Sequence, residues 1–149
     1  MKKILIAIDY DQTAQKVARA GFSMAMDMNA EVILLHVISN SVLYYSSYVA
    51  MAPLLINNGD ELKEVSQKFL DKTKHDLGDN TIQTITNEGD TAESILAAAK
   101  KLKADIIVMG THSRKWLENI LMGSVAESVL EHSTIPLFII PTKKAVEQK

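Results

Sequence analysis

Five short runs of strand-forming character alternate with segments of helical periodicity along the 149-residue chain. Three of these runs are continuously apolar, and the second is apolar apart from His36, as expected of strands that are covered on both faces of a parallel sheet. The third run is Thr-rich and more polar, which favours an edge position. The runs occupy residues 4–8, 32–37, 81–86, 106–109 and 137–140, and apolar residues recur at helical spacing between them.

This alternation of strands and helices predicts an α/β fold. We expect a single open, mostly parallel five-stranded sheet with helices on both faces, flavodoxin- or Rossmann-like, with strand order 3-2-1-4-5. No internal repeat, linker or low-complexity tract divides the sequence. Because the length is also typical of one domain, we predict a single domain over residues 1–149.

Two prolines, Pro136 and Pro141, bracket the last apolar run, Leu137–Ile140. Proline confines a strand to an edge or to a strand end, and large apolar side chains on an exposed edge favour aggregation. We therefore expect this strand to be covered, and the simplest cover is a second copy of the chain. The protein would then be a homodimer through Leu137–Ile140. Burial under the C-terminal tail or under a helix is the alternative.

The composition excludes several classes of function. The chain has no cysteine, which excludes disulfide scaffolds, thiolate metal sites and thiol nucleophiles. Its 16 basic and 18 acidic residues give a net charge of −2, whereas a nucleic-acid-binding face would need a basic balance. We therefore expect no nucleic-acid partner.

Residues 32–59 contain no Asp, Glu, Lys or Arg, which raises the question of a membrane span. Serine, asparagine and proline interrupt this stretch, so no apolar run reaches the roughly 18 residues that a spanning helix needs. The N-terminus has no signal-peptide pattern, because Asp9 ends its apolar run. We expect a cytoplasmic protein without membrane contact. Residues 38–59 are interpreted as a long connection that forms a mobile lid or contacts a partner.

Polar and glycine residues follow two of the apolar runs at the point where each strand ends. Asp9 follows the first run, and Gly110 follows the fourth, with Gly123 and Ser124 opening a helix thirteen residues later. Ligands of open α/β sheets bind outside the carboxyl ends of the strands, and a helix N-terminus offers N–H groups to an anion. Together these residues predict an anion-binding cradle. Each also has an ordinary structural explanation: Ser124 as the cap in a capping box, Gly110 as a strand end and Gly123 as a turn.

The spacing of this segment resembles that of the universal stress protein family. Nucleotide-binding members carry G-x2-G-x9-G-[ST] after the fourth strand, and this chain reads GTHSRKWLENILMGS. Gly110 and Gly123-Ser124 match the motif, whereas Ser113 replaces its second glycine. The resemblance extends over nearly the whole chain, through KKILIAIDYD, AEVILLHVI, EGDTAESILAAAKKLKADIIVMGTHS and GSVAESVLEHSTIPLFII.

The resemblance implies a nucleotide site with distinct parts. Asp9 would lie near the adenosine moiety, and the backbone at Val37 would read the adenine. Met109 and Gly110 would form the wall on the ribose side, and the phosphates would lie against Ser113 and the start of the following helix. The predicted binding residues are Ala7, Ile8, Asp9, Val37, Met109, Gly110, His112, Ser113, Arg114, Gly123, Ser124 and Val125.

The implied ligand is ATP or AMP, with Mg²⁺ as an optional companion of the phosphates. No Walker-type G-x4-G-K-[ST] is present, so no P-loop lysine would hold the phosphates. Arg114 could add charge there, with solvated surface as its alternative. Asp9 and Asp11 are the nearest carboxylates for Mg²⁺, although Asp11 is better explained as the N-cap of the first helix. The sequence shows no organised pair of general base and nucleophile, so any ATP hydrolysis should be slow.

These features favour a nucleotide-binding module that acts as a homodimer in a stress response, the stress role being implied by the resemblance alone. A nucleotide-free dimeric interaction protein of the same family is the alternative, because Ser113 departs from the glycine motif. A phospho-receiver domain is excluded, since it needs an Asp at the end of the third strand, where this chain has Thr86-Asn87-Glu88.

Overall fold

Strands and helices alternate along the computed structural model, which describes residues 1–39, 59–111 and 122–142. Within those ranges the strands are β1 (Lys3–Ala7), β2 (Glu31–Ser39), β3 (Gln83–Gly89), β4 (Ile106–Gly110) and β5 (Leu137–Ile140). The helices are α1 (Ala14–Asp27), α2 (Gly59–Leu77), α3 (Thr91–Leu102) and α4 (Ser124–His132).

The five strands form one sheet in the order β3-β2-β1-β4-β5, and all neighbouring pairs are parallel. The predicted fold class and strand order are confirmed. β3 and β5 occupy the two edges, as the polar composition of the one and the flanking prolines of the other indicate. The chain moves outward from β1 to β3 and then returns to the other side of β1 to form β4, so its direction reverses between β1 and β4.

Alternate residues of β1 point to opposite faces of the sheet and join separate apolar clusters. Ile4 and Ile6 pack with residues of α1 and α2, whereas Leu5 packs with residues of α3 and α4. All three side chains are fully buried. The sheet is thus covered on both faces, which explains why its central strands are predominantly apolar.

Gly21 lets α1 approach the sheet closely. A Cβ atom at this position would lie 2.8 Å from Ile6 Cδ1 and 3.0 Å from Val108 Cγ1, which is closer than van der Waals contact allows. Because α1 begins only a few residues after the end of β1, this close packing also sets the position of the connection between them. That connection runs over the carboxyl end of the sheet.

The third strand begins later than the sequence predicts. The predicted run is 81–86, whereas β3 covers Gln83–Gly89. The Asp79 carboxylate accepts hydrogen bonds from the Thr81 N–H at 2.8 Å and from the Thr81 hydroxyl at 2.6 Å, which holds Thr81 in a turn. The hydrogen bond from the Thr81 hydroxyl lowers the pKa of Asp79 most, and the hydrogen bond from the Thr81 N–H lowers it further. Thr81, which favours a strand by its propensity, is therefore part of the turn before β3.

The uncharged stretch divides into two parts. Residues 32–37, its apolar beginning, lie in β2 and are buried in the sheet. Residues 40–58, which include most of the predicted lid or partner-contact segment, lie outside the described ranges. Among the helices that the structure describes, none is long and apolar enough to cross a membrane.

Candidate functional site

The carboxyl ends of β1 and β4 lie side by side where the strand order reverses. In open α/β sheets ligands bind at this place, because the connections leave the two strands in opposite directions and open a crevice between them. β1 leads into Ile8 and Asp9, and β4 ends at Gly110. The sequence-predicted residues Ala7 and Met109 lie directly before these positions, so all five lie together at the carboxyl end of the sheet.

Asp9 follows β1 and stays close to β2. The Ile8 N–H donates to the Leu35 carbonyl at 2.9 Å, which keeps the chain beside β2 after β1 has ended. The Asp9 carboxylate accepts a hydrogen bond from the Tyr10 N–H at 3.0 Å, and its Oδ1 lies 3.8 Å from His36 Nε2. The Asp9 side chain is 18% exposed. A carboxylate that is partly open to solvent therefore lies at the end of the sheet.

Asp11 does not cap the first helix. The cap position of α1 is Thr13, and the helix begins at Ala14. Asp11 Oδ1 accepts a hydrogen bond from the Thr13 N–H at 2.7 Å, which closes an Asx turn ahead of the helix. The predicted N-cap role is wrong because the short carboxylate side chain binds the N–H two residues on, before the helical turns begin.

β2 runs beyond the last pair that it makes with β1. Its pairs with β1 end at Leu35, whereas its pairs with β3 continue to Ser39. The Leu35 carbonyl points towards the β1 side, since it accepts from Ile8, and backbone polar groups alternate sides along a strand. The peptide groups of Val37 therefore point to the same side, past the end of β1. The Val37 side chain is 4% exposed and packs in the apolar cluster, so the backbone is what this residue offers a ligand.

The start of α4 is joined to the end of β4. The Gly123 N–H donates to the Thr111 carbonyl at 2.6 Å, and the Thr111 N–H donates to the Ile140 carbonyl at 3.0 Å. These two hydrogen bonds connect the residues after β4, the N-terminus of α4 and the end of β5. Met109 beneath them is 5% exposed, whereas Gly110 is half-buried.

The N-terminus of α4 presents backbone donors beside this junction. Gly123 is the N-cap residue, with extended backbone (φ −70°, ψ 164°), and Ser124 is the first helical residue. The alternative in which the Ser124 hydroxyl caps the helix is therefore wrong, because the cap position belongs to the preceding glycine. Ser124 is exposed and Val125 is half-buried. The first N–H groups of a helix have no partner within it, so α4 directs N–H donors and the positive end of its dipole towards the end of β4.

Three predicted binding residues, His112, Ser113 and Arg114, lie outside the described residues. The other nine lie at the carboxyl ends of β1, β2 and β4 or at the start of α4. Among these nine, Asp9 carries the charged side chain. Ile8, like Val37 and Met109, is buried and can offer a ligand mainly backbone groups.

His36 lies within an apolar run of the sequence, where a core histidine with hydrogen-bond partners is the simplest interpretation, and its side chain is fully buried. The partners of this histidine were missed. His36 Nδ1 lies 2.6 Å from Ser66 Oγ of α2, which in turn lies 3.1 Å from Thr86 Oγ1 of β3. One signal was present in the sequence: Ser66 follows the apolar Val65 on the side of α2 that faces the sheet, where a polar group needs a buried partner.

Comparison with known proteins identifies the family. A model of the universal stress protein family matches residues 1–141. The chain belongs to the universal stress protein family. The membership that the glycine motif and its flanking segments implied is thereby confirmed, over 141 of the 149 residues.

Relatives of this universal stress protein cover nearly its whole length. Universal stress protein MJ0531 of Methanocaldococcus jannaschii is 32% identical over 145 residues, which are 96% of this chain and 84% of that protein. Among solved structures, that of protein MJ0577 has a TM-score of 0.76 at 28% identity and covers 97% of this chain and 98% of its own. A universal stress protein solved in complex with cAMP has a TM-score of 0.66 at 18% identity, with 95% and 98% covered. The last likeness is one of fold.

The described residues at this end of the sheet offer a ligand polar groups of three kinds. The backbone of Val37 offers peptide groups to the edge of a planar ring, Asp9 offers an acceptor to hydroxyl or amino groups, and the start of α4 offers N–H donors to phosphates. A dedicated metal centre would need several ligating side chains close together. Within the described ranges, no group of three or more His, Cys, Asp or Glu side chains converges on one point.

Proposed function

We propose that this universal stress protein binds an adenine nucleotide, ATP or AMP, at the carboxyl ends of β1, β2 and β4. The hydrogen bond between Gly123 and Thr111 carries the proposal, because it holds the N–H donors of α4 next to the reversal of strand order. Family membership supports the proposal. The solved universal stress protein in complex with cAMP supports the idea that this fold accommodates an adenine nucleotide.

The adenosine part would bind between β1, β2 and β4. The peptide groups of Val37 would pair with the edge of the adenine ring, and the Asp9 carboxylate would accept hydrogen bonds from the ribose or the base. Ala7 and Ile8 would contribute backbone beneath it. Met109 and Gly110 would form the wall on the ribose side, where the small residue leaves room for the sugar.

The phosphates would bind at the start of α4. The N–H groups of Ser124 and Val125 have no helical partner, and the absence of a side chain at Gly123 would allow close approach. The Ser124 side chain is exposed, and its hydroxyl would donate to a phosphate oxygen. His112, Ser113 and Arg114 would line the same side, as the sequence predicts.

A divalent ion would accompany the phosphates rather than occupy its own site. Mg²⁺ commonly keeps several waters and binds one or two carboxylates together with phosphate oxygens. Asp9 is the carboxylate nearest to such a position, since Asp11 is engaged in its Asx turn. When bound, the ion would neutralise phosphate charge. We propose slow hydrolysis at most, because the sequence shows no organised base and nucleophile.

The remaining parts of the proposal concern the whole molecule. Residues 1–149 would form one nucleotide-binding domain, and the protein would act in the cytoplasm in a stress response. It would be a homodimer through Leu137–Ile140. β5 lies at the edge of the sheet, and Phe138 on this strand is 39% exposed, which supports the choice of this surface.

Calorimetric titration with ATP and with AMP tests the nucleotide proposal, with Gly123→Val as the variant. The φ of Gly123 is −70°, so valine is compatible with the backbone, while its branched side chain would fill the place of the phosphates. We expect saturable binding by the unmodified protein and a loss of at least about tenfold in the variant, as for the removal of charge-assisted hydrogen bonds.

The matched control is Gly78→Ala, a second glycine substitution at the other end of the sheet. Gly78 has a φ of 75° at the end of α2, so alanine should lower stability there without changing nucleotide affinity. Equal loss of affinity in both variants would mean that general destabilisation, and not the site, was measured. A folded dimer that binds neither nucleotide at millimolar concentration would overturn the proposal and favour the nucleotide-free interaction protein.

A further inference from the structure

A polar series of three side chains runs through the interior from β3 to Asp9. Thr86 Oγ1 lies 3.1 Å from Ser66 Oγ, and Ser66 Oγ lies 2.6 Å from His36 Nδ1. The other ring nitrogen of His36, Nε2, lies 3.8 Å from Asp9 Oδ1. His36 and Ser66 are fully buried, and Phe69 packs edge-on against the imidazole with 5.6 Å between ring centroids. The histidine is thus held from two sides next to the proposed nucleotide site.

The combination of Ser, His and Asp is not a hydrolytic triad. The Ser66 hydroxyl is completely buried, so no substrate can reach it. A nucleophilic serine must be exposed to the group that it attacks. The polar series therefore has to be explained by its effect on Asp9, the partly exposed residue at its end.

The number of available protons sets the direction of hydrogen-bond donation along the polar series. A carboxylate only accepts hydrogen bonds, so a favourable contact with Asp9 requires the proton of neutral His36 on Nε2. Nδ1 is then unprotonated and accepts the hydroxyl proton of Ser66. Because Ser66 has one proton to give, its contact with Thr86 must use the Thr86 hydroxyl proton. Donation therefore runs from Thr86 to Ser66, from Ser66 to His36, and from His36 towards Asp9.

We propose that His36 is a positioning residue for the nucleotide site, held by Ser66 and Thr86 in the Nε2–H tautomer so that it orients the Asp9 carboxylate. This inference rests on the proposed function, in which Asp9 contacts the adenosine. The 3.8 Å separation is longer than a hydrogen bond, and a movement of less than about 1 Å would form one. Active-site contacts of this kind often tighten when the ligand binds. Ser66 of α2 and Thr86 of the edge strand β3 would thus act on the ligand through His36 and Asp9.

Two substitutions of the same histidine separate positioning from packing. In His36→Gln the side-chain amide reaches the place of Nε2 and can still donate to Asp9, whereas in His36→Asn it reaches only the place of Nδ1. Both variants lose the ring that packs on Phe69. We expect His36→Asn to lose about tenfold in ATP affinity and His36→Gln to keep affinity within about threefold, as for one hydrogen bond to a charged group. Equal losses in the two variants would overturn the positioning role.

A measurement without nucleotide tests the tautomer itself. Long-range ¹H–¹⁵N correlation spectra of the unmodified protein distinguish a protonated from an unprotonated ring nitrogen, and the signals of His36 among the four histidines are assigned by their absence in His36→Gln. We expect a protonated Nε2 and an unprotonated Nδ1. We also expect Ser66→Ala to weaken this preference and to lower ATP affinity. A proton on Nδ1 in the unmodified protein would overturn the inference.

The affinity measurements and the NMR measurement distinguish failure of the proposed function from failure of the positioning role. If the unmodified protein binds no nucleotide, the proposed function fails and the positioning role fails with it, while the ring-nitrogen signals still decide the order of donation. If nucleotide binds but Ser66→Ala and His36→Asn bind it as well as the unmodified protein does, the proposed function stands and the positioning role is overturned.

Discussion

The N–H of Gly123 donates to the carbonyl oxygen of Thr111 at 2.6 Å, and this contact places the start of α4 at the end of β4. Thr111 in turn is bound to Ile140 of β5 through its own N–H. A helix that begins here cannot direct its N–H groups elsewhere. The proposed binding of phosphates at this corner would therefore depend on one hydrogen bond from a residue without a side chain.

Substitution of Gly123 by proline or by alanine tests this dependence. Both residues are compatible with a φ of −70°, but only proline lacks the N–H. Gly123→Pro should lower the free energy of unfolding by about 1–3 kcal/mol, because it leaves the Thr111 carbonyl without this donor. Gly123→Ala should leave stability unchanged or raise it slightly. Urea denaturation of both variants provides the measurement, and equal stabilities would show that the hydrogen bond contributes nothing.

Features encoded by neighbouring residues could be predicted from the sequence. β5 covers Leu137–Ile140 as predicted, since a proline on each side limits the strand. α3 begins after Asp90, where Asp90 and Glu93 have the spacing of a capping box, and the Asp90 carboxylate accepts the Glu93 N–H at 3.0 Å. In both cases the decisive interaction lies within a few residues of the element that it bounds.

Features that depend on a choice between two local roles, or on distant contacts, could not be predicted in this way. Thr81 suits a strand by its propensity, yet its hydrogen bonds to Asp79 place it in a turn. The contact between His36 and Ser66 joins residues 30 positions apart, and no short-range pattern specifies it. A motif of fixed spacing can therefore be recognised in the sequence, whereas the partners of His36 depend on the packing of distant segments.

A larger side chain at Gly21 should destabilise the fold. The place of its Cβ atom is already 2.8 Å from Ile6 Cδ1 and 3.0 Å from Val108 Cγ1, and both of these side chains are fully buried. We expect Gly21→Val to lower the free energy of unfolding by about 1–3 kcal/mol through overpacking. Ser23→Val, at an exposed position of the same helix, is the control and should change it by less than about 0.5 kcal/mol. Similar urea midpoints for the two variants would contradict the close packing of α1.

The turn before β3 should contribute stability that depends on pH. The Thr81 hydrogen bonds lower the pKa of Asp79, so they favour the ionised carboxylate in the folded protein. This contribution is complete above about pH 4, the ordinary carboxyl range, and is lost as the pH falls through the lowered value. We expect Thr81→Val to lower Tm at pH 7, and the difference from the unmodified protein to shrink in acid. Thermal unfolding between about pH 2.5 and pH 7 measures this difference.

The control for the pH effect is the same substitution on an Asp79→Asn background. An amide does not ionise, so the difference in Tm caused by Thr81→Val should then be independent of pH. A difference that shrinks equally in both backgrounds would assign the effect to other carboxylates.

The edge strand β5 supports a prediction about assembly. Leu137 and Ile139 pack towards α3 and α4, whereas Phe138 points to the other face and is 39% exposed. A charged side chain on an edge strand opposes pairing with another chain. We expect Phe138→Lys to convert a dimer into a folded monomer, because it places charge in the proposed interface without disturbing the core.

Light scattering coupled to size-exclusion chromatography measures the outcome. The unmodified protein should have about twice the chain mass of 16.5 kDa, and Phe138→Lys should have the mass of one chain. Gln83→Lys is the control, since Gln83 is exposed on β3, at the opposite edge of the sheet. A monomeric unmodified protein, or a Phe138→Lys variant that stays dimeric at micromolar concentration, would contradict assembly through β5. Loss of the dimer in both variants would point to a general effect of added charge, because Gln83 lies on the opposite edge strand.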